Sequence, residues 1–379
     1  MVLNNTVRVL FLSDTHLGFD YALRPRVKRR RRGPEFFEAA RRALEPARRG
    51  EVDLVVHGGD LLFRSRVRPW LVARALEPLL EVAERGTPVF VVPGNHERGR
   101  IPFAMLAAHR NLHIFDRPRS FVQKVGAVRV CLSGFPSRGR KVRSEFAGLV
   151  EKTRWRNEKA DINLLCIHEA FEGATVGPSD YTFTYSPDTV RAADLPEGFD
   201  AVLAGHIHRH QVLSSDLAGR ELPCPVIYSG STCRTSFAEA GEQKGYVLVD
   251  LAPGRRPAHT FRRLYSRPMV TVELNCSDPE APNIGLQVER ELRRCPPDAI
   301  VRIRLRGRPQ EKDLRFLRAD FLRRVAPRGV SVQLCRNTIG LLRSLQERGH
   351  TRADAAKPAC GHAHRRFQRE RDSARRTEP

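Results

Sequence analysis

Short apolar runs alternate with longer amphipathic stretches over the first two-thirds of the chain. Residues 7–12, 52–56, 88–92, 128–132, 162–167, 201–203, 226–228 and 246–251 read as β-strands. Residues 52–56 and 88–92 have the character of strands buried on both faces. Residues 35–48 have helical spacing, with Phe36, Phe37, Ala40 and Leu44 on one face, and Gly50 ends the run. Residues 69–85 form a second helical stretch closed by Gly86. This strand–helix rhythm predicts an α/β domain with its helices outside.

The pattern changes after residue 251. Residues 252–268 are rich in Pro, Arg and Gly and read as a linker. A smaller unit follows over residues 269–338, in the order strand 269–274, helix 284–294, strand 300–305, helix 313–325 and strand 330–334. That order suits a small α+β domain. Strict alternation along residues 300–306 puts Arg302, Arg304 and Arg306 on one face. From about residue 351 apolar periodicity disappears, and residues 351–379 carry eight basic and four acidic side chains. The expected organisation is therefore a main domain over 1–251, a linker over 252–268, a small cap over 269–338, and a basic, disordered tail over 339–379.

Composition narrows the class. The 379 residues are 41% hydrophobic and 29% charged, as in globular proteins. No apolar run is long enough to cross a bilayer, so no membrane association is expected. The opening residues MVLNNTVRVLFLSDTH lack the basic start, apolar stretch and cleavage site of a secretory signal, which predicts a cytoplasmic protein. Eight scattered cysteines without a CxxC pair argue against a disulfide framework, and Cys131 and Cys166 sit in strands as small buried hydrophobes. The tail cluster Cys360, His362 and His364 reads as incidental. The formal charge of +23, from 66 Lys plus Arg against 43 Asp plus Glu, favours a polyanionic partner such as DNA.

The chemistry is written at the ends of the predicted strands. They run into Asp14-Thr15-His16, Gly58-Gly59-Asp60, Gly94-Asn95-His96-Glu97, His168-Glu169 and Gly205-His206-Ile207-His208. Open α/β sheets place their sites at this end. Each piece is weak alone, but the ordered set points to metal binding. Asp, Asn and His offer oxygen and imidazole nitrogen without thiolate, which suits Mn, Fe or Zn better than Mg. A carboxylate can bridge two such ions about 4 Å apart, activating water and neutralising a phosphoryl group. Gly58, Gly94 and Gly205 relieve crowding where strands turn into these loops. His57 reads as structural and His210 as a surface residue.

This motif set resembles the calcineurin-like metallophosphoesterases, whose pattern is D-x-H, G-D, G-N-H, H and G-H-x-H, over roughly residues 6–250. The resemblance implies a four-layer α/β/β/α sandwich and two divalent metals. Asp14, His16, Asp60 and His208 would hold one, and Asp60, Asn95, His168 and His206 the other. His96 would touch the phosphate and protonate the leaving oxygen. A narrower resemblance lies in Asp14-Thr15-His16-Leu17-Gly18, Gly59-Asp60-Leu61-Leu62 and Tyr228-Ser229-Gly230-Ser231-Thr232, followed by Arg234 and Phe237. With the segment from Arg267-Pro268-Met269-Val270, these are similar to SbcD-type DNA double-strand-break repair nucleases and their small capping domain. That family implies a Mn-dependent exonuclease and endonuclease, a homodimer, and an SMC-like coiled-coil ATPase partner. The chain departs from it at Phe63, where the family carries a His three residues after the bridging Asp.

Basic groups expected against DNA are Arg24, Arg26, Lys28, Arg29 and Arg30, within seven basic residues over positions 24–32, together with Arg64, Arg302 and Arg304. Trp70 and Trp155 read first as packing residues, as do Tyr181, Phe183 and Tyr185, which could also wall the cleft. Two other functions stay open at this point. One is the same chemistry on a small nucleotide, a nucleotide sugar or a phosphoprotein; the other is a non-catalytic DNA-binding scaffold.

Overall fold

The computed structural model describes residues 5–20, 31–97, 109–276, 282–307 and 309–335. The chain begins with β1 (Val7–Leu12), α1 (Gly33–Ala43), α2 (Glu45–Arg48), β2 (Leu54–His57), α3 (Pro69–Glu84), β3 (Val89–Val91) and β4 (Leu112–Ile114). It continues through β5 (Arg119–Val125), β6 (Val128–Gly134), α4 (Val142–Lys152) and β7 (Ile162–Ile167). Two small ribbons follow, pairing β8 (Ala170–Phe171) with β11 (Thr189–Val190) and β9 (Thr175–Val176) with β10 (Tyr181–Thr182). The unit closes with β12 (Ala201–Ala204), β13 (Gln211–Ser215), β14 (Glu221–Tyr228), β15 (Lys244–Leu251) and β16 (Ala258–Leu264).

Among the described residues, these strands form two six-stranded sheets, ordered β16-β15-β1-β2-β3-β4 and β13-β14-β12-β7-β6-β5. β1 to β4 run parallel, as do β14, β12, β7 and β6, while antiparallel strands β16, β13 and β5 close three of the edges. Period-two alternation along β1 sorts its side chains. Leu10 and Leu12 face a cluster with Phe36, Leu44, Leu76 and Leu79 of the α1–α3 layer. Val9 and Phe11 face the second sheet through Phe90, Leu132, Leu164 and Ile227. That sheet's other face packs on Val142, Phe146 and Leu149 of α4. The layers are therefore α/β/β/α, as the resemblance implied. Among the described residues, no helix is long and apolar enough to cross a membrane.

Three sequence expectations need correction. The helix over 35–48 is two helices, because Pro46 has no N–H to continue the ladder, and the chain resets at Leu44. Residues 252–268 are not a linker: β16 pairs with β15 in register from Lys244↔Leu264 to Asp250↔Ala258. It escapes an apolar reading because it is an edge strand whose side chains are mostly exposed. The division of the chain falls instead between Ser266 and Arg267. Strands β4, β5 and β13 and helix α4 were likewise invisible as apolar runs, and β5 and β13 are edges with only partial burial.

The second unit is a parallel three-stranded sheet, β17 (Met269–Asn275), β18 (Ile300–Arg306) and β19 (Ser331–Leu334), with α5 (Ile284–Arg294) and α6 (Ala319–Val325). Its core joins Val272, Leu274, Val288, Leu292, Val301, Ile303 and Leu322. Buried Arg267 fastens its start, donating to the carbonyls of Asp298 at 2.6 Å and Gly329 at 2.9 Å and to Ser331 Oγ at 3.0 Å. The tail 339–379 lies outside the described residues.

Candidate metal centre

The parallel strands deliver the five motifs to one edge of the sandwich. Loops after β1, β2 and β3 come from the first sheet, and those after β7 and β12 from the second. Asp14, His16, Asp60 and His206 hold φ angles of +52°, +44°, +50° and +85°, where side chains other than glycine are uncommon. Such strain persists only where the surroundings enforce it, and it gathers at functional sites. Two glycines let the ligand loops approach this closely. A Cβ on Gly94 would lie 2.3 Å from both the Asp60 backbone nitrogen and Oδ1. One on Gly205 would lie 2.1 Å from the Gly58 carbonyl oxygen and 2.7 Å from His168 Nδ1. Gly205→Ala is expected to destabilise the fold by about 1–3 kcal/mol or more and to displace His168, because backbone cannot yield as a side-chain tip can. Urea unfolding checks this, and a variant as stable as the parent would contradict it.

The structure brings together all eight residues expected from the motifs. His16 Nε2 and His208 Nε2 face each other at 2.9 Å, and Asp14 Oδ1 lies 3.9 Å and 3.7 Å from them. His168 Nε2 is 3.0 Å from Asn95 Oδ1 and 3.4 Å from Asp60 Oδ1. His206 Nδ1 is 3.1 Å from Asn95 Oδ1, and its backbone N–H donates to Asp14 Oδ2 at 3.1 Å. Three overlapping groups place ligand atoms within 4.8 Å of one another: Asp14, His16 and His208; His16, Asp60 and His96; and Asp14, Asp60 and His168.

These donors fit cations. Asp14 Oδ1 is buried without a hydrogen-bond partner. His168 Nδ1 donates to the Gly58 carbonyl at 2.8 Å and His208 Nδ1 to Glu239 Oε1 at 3.3 Å, so each ring would turn its Nε2 lone pair to a cation that displaces its second proton. Burial alone would lower the His168 pKa, but Asp60 and Asp14 outweigh it and push it up to about 10. Burial would raise Asp60, yet the facing His168, His16 and His96 hold its carboxyl below the usual range. Burial and the neighbouring His208 push His16 down to about 3. The carboxylates thus call for positive charge at their centre, and divalent ions there would supply it.

Supporting residues matter as much, and the motif reading gave them no role. Glu97 is fully buried, and its carboxylate accepts the N–H groups of Asp60 at 3.1 Å, Leu62 at 2.8 Å and Gly94 at 2.7 Å. One side chain therefore knots two ligand loops, while burial and the Asp60 charge push its pKa up to about 8. Glu239 accepts from His208 and from Lys244 Nζ at 2.7 Å. Lys244, itself fully buried, also donates to Glu242 Oε2 and the His208 carbonyl, both at 2.9 Å. His57 is structural: its Nε2 meets Thr15 Oγ1 at 3.0 Å beneath two ligand loops. The signal for these groups is a charged residue one to three positions from a motif or inside an apolar strand.

Phe63 stands edge-on to both His16 and His96, with ring centroids 6.4 Å and 6.2 Å away, and so walls the site with carbon. Arg64 points to solvent instead. Arg24, Arg26, Lys28, Arg29 and Arg30 lie outside the described residues. Arg302 bonds Thr271 Oγ1 at 2.9 Å and Arg304 meets Glu273 at 3.3 Å, so cross-strand partners occupy both. Trp155 is packed on Phe199 at 4.2 Å between centroids, while Trp70, Tyr181 and Tyr185 are exposed. His210 is not a free surface residue. It stacks on Phe261 at 4.3 Å and donates to the Tyr228 carbonyl at 2.7 Å.

Residues 7–210 match the calcineurin-like phosphoesterase family. The chain belongs to that family. It is 27% identical to the DNA double-strand break repair protein Mre11 of Methanopyrus kandleri over 76% of this chain and 62% of that one. It is 29% identical to the Mre11 of Haloferax volcanii over 79% and 61%. It is 25% identical to the SbcD component of the SbcCD nuclease of Bacillus subtilis over 65% and 67%. The chain thus spans about three-fifths of the length of the first two relatives.

Proposed function

We propose that this chain is a two-metal phosphodiester hydrolase acting on DNA, an exonuclease and endonuclease of the SbcD type that works in DNA repair. The observation that carries the reading is the Asp60-centred cluster with His96 at its open side. The His96 side chain is 31% exposed, against 3% for His16 and 4% for Asp60. In this reading Asp14, His16, Asp60 and His208 hold one metal, and Asp60, Asn95, His168 and His206 the other. Manganese is the preferred ion, with iron or zinc as alternatives, since imidazole-rich sites without thiolate suit these metals. When bound, the pair would activate water and neutralise charge on the phosphoryl oxygens.

The residues of the chain do the rest. Asp60 keeps its carboxylate between the two ligand groups because Glu97 grips its backbone and His96 N–H donates to its Oδ1 at 2.9 Å. His96 Nδ1 faces the Leu62 carbonyl at 3.3 Å, which orients Nε2 toward the leaving oxygen as proton donor. Phe63 excludes water beside it. The net charge of +23 draws a polyanionic strand. The resemblance extends the reading to an SMC-like coiled-coil ATPase partner, a homodimer and a cytoplasmic location.

A digestion panel tests this. With Mn, the protein is expected to degrade linear DNA, with single-stranded, double-stranded and small phosphodiester substrates compared across Mn, Fe, Zn and Mg. DNA left intact under every metal, while a small phosphodiester is cleaved, would sink the DNA half of the proposal.

A further inference from the structure

The C-terminal end of β6 carries a basic loop that the charge runs in the sequence do not pick out. It reads Ser137-Arg138-Gly139-Arg140-Lys141 and leads into α4. Because β6 runs parallel to β7, this loop emerges beside the His168 loop, at the same edge as the metal ligands. Two contacts fix it there. Ser137 N–H donates to the Pro93 carbonyl at 2.9 Å, next to Gly94, Asn95 and His96. Arg138 N–H donates to the carboxylate of Glu169, the residue after His168. Glu169 is 2% exposed. A buried carboxylate thus folds the loop against two ligand segments.

The loop's charges divide in two. Arg138 is paired with Glu145 at 2.8 Å, and Arg143, just inside the helix, with Glu172 at 2.7 Å. Arg140 and Lys141 are exposed, and neither side chain has a hydrogen-bond or ion-pair partner among the described residues. Two uncompensated cations on an anchored loop need little ordering to meet an anion. Their chemistry suits phosphates, which they position without reading sequence.

We propose that Arg140 and Lys141 form a rim that holds the phosphate backbone of a nucleic-acid strand on the His168 and Asn95 side of the metal centre. The inference rests on the DNA-hydrolase reading above. The strand would enter over this rim, and the scissile phosphate would lie between it and His96.

The test is Arg140→Gln with Lys141→Gln in the full chain. The control is Lys124→Gln with Arg255→Gln, an equal charge change where β5 meets the start of β6 and in the β15–β16 turn, at the opposite ends of the strands. Binding of a labelled single-stranded oligonucleotide is followed by anisotropy in EDTA as salt is varied. Hydrolysis of bis(p-nitrophenyl) phosphate is followed with Mn. The rim variant should bind the oligonucleotide on the order of tenfold more weakly, with the log–log salt slope reduced by about 1.4 for two lost phosphate contacts. Its small-substrate rate should match the parent, and the control should bind as the parent does. Equal binding by the rim and control variants overturns the rim while leaving the DNA reading intact. A parent that hydrolyses the small ester but binds no oligonucleotide overturns both.

Discussion

Replacing His96 with alanine is expected to lower kcat on DNA by about two to four orders of magnitude, the usual worth of a positioned general acid. Bound metal should stay at the level of the parent protein. The backbone N–H of His96 is held by Asp60 Oδ1 and its Nδ1 by the Leu62 carbonyl, so the ring has one direction in which to offer Nε2. Parallel rates on a p-nitrophenyl ester separate proton donation from positioning. That leaving group departs with little help, so its loss should be much smaller than the loss on DNA. Equal losses on both substrates would make His96 a positioning residue. Loss of metal, measured by elemental analysis, would make it a ligand, a role that its place 3.9 Å from Asp60 Oδ2 would allow.

The second large effect concerns the fold beneath the site. Lys244→Met is expected to destabilise the protein by about 3–5 kcal/mol, because it leaves the buried Glu239 carboxylate without its lysine. Lys244 is the common partner of Glu239, Glu242 and the His208 carbonyl. Removing it loosens the Glu239 carboxylate behind His208, leaving only its bonds from Thr235, Ser236 and Ser231, so metal affinity should fall as well. Urea unfolding of the metal-free protein reads the first effect, and titration with Mn the second. Pairing Lys244→Met with Glu239→Gln should recover part of the stability but none of the affinity. A single variant within about 1 kcal/mol of the parent would refute the buried-network argument.

Much of the site was legible in order. Asp14, His16, Asp60, Asn95, His96, His168, His206 and His208 all sit within short motifs after apolar strands, and parallel strands bring such ends together. Supporting groups were less legible. Glu97 lies within a motif, yet only the folded chain shows that it accepts from two separate loops. Lys244 lies outside the strand read over 246–251, yet it opens β15 and is fully buried. The basic run over 24–32 dominated the charge pattern, whereas Arg140 and Lys141 stand out only once β6 and β7 are seen side by side. Arg302 and Arg304 went the other way: their alternation was right, but cross-strand Thr271 and Glu273 occupy them.

By itself the sequence determined the layered α/β architecture, the residues of the Asp/His cluster and the family. Burial periodicity and short motifs are local properties, and five motifs at successive strand ends are specific. The tertiary structure decided what depends on partners distant in sequence. It turned 258–264 from a linker into an edge strand, because an exposed strand is defined by the neighbour it bonds and not by its own hydrophobicity. It set the pKa values of His16 and His168 in opposite directions, although both are buried imidazoles. For His16 burial dominates and the facing His208 adds to it, while for His168 the charges of Asp60 and Asp14 outweigh burial.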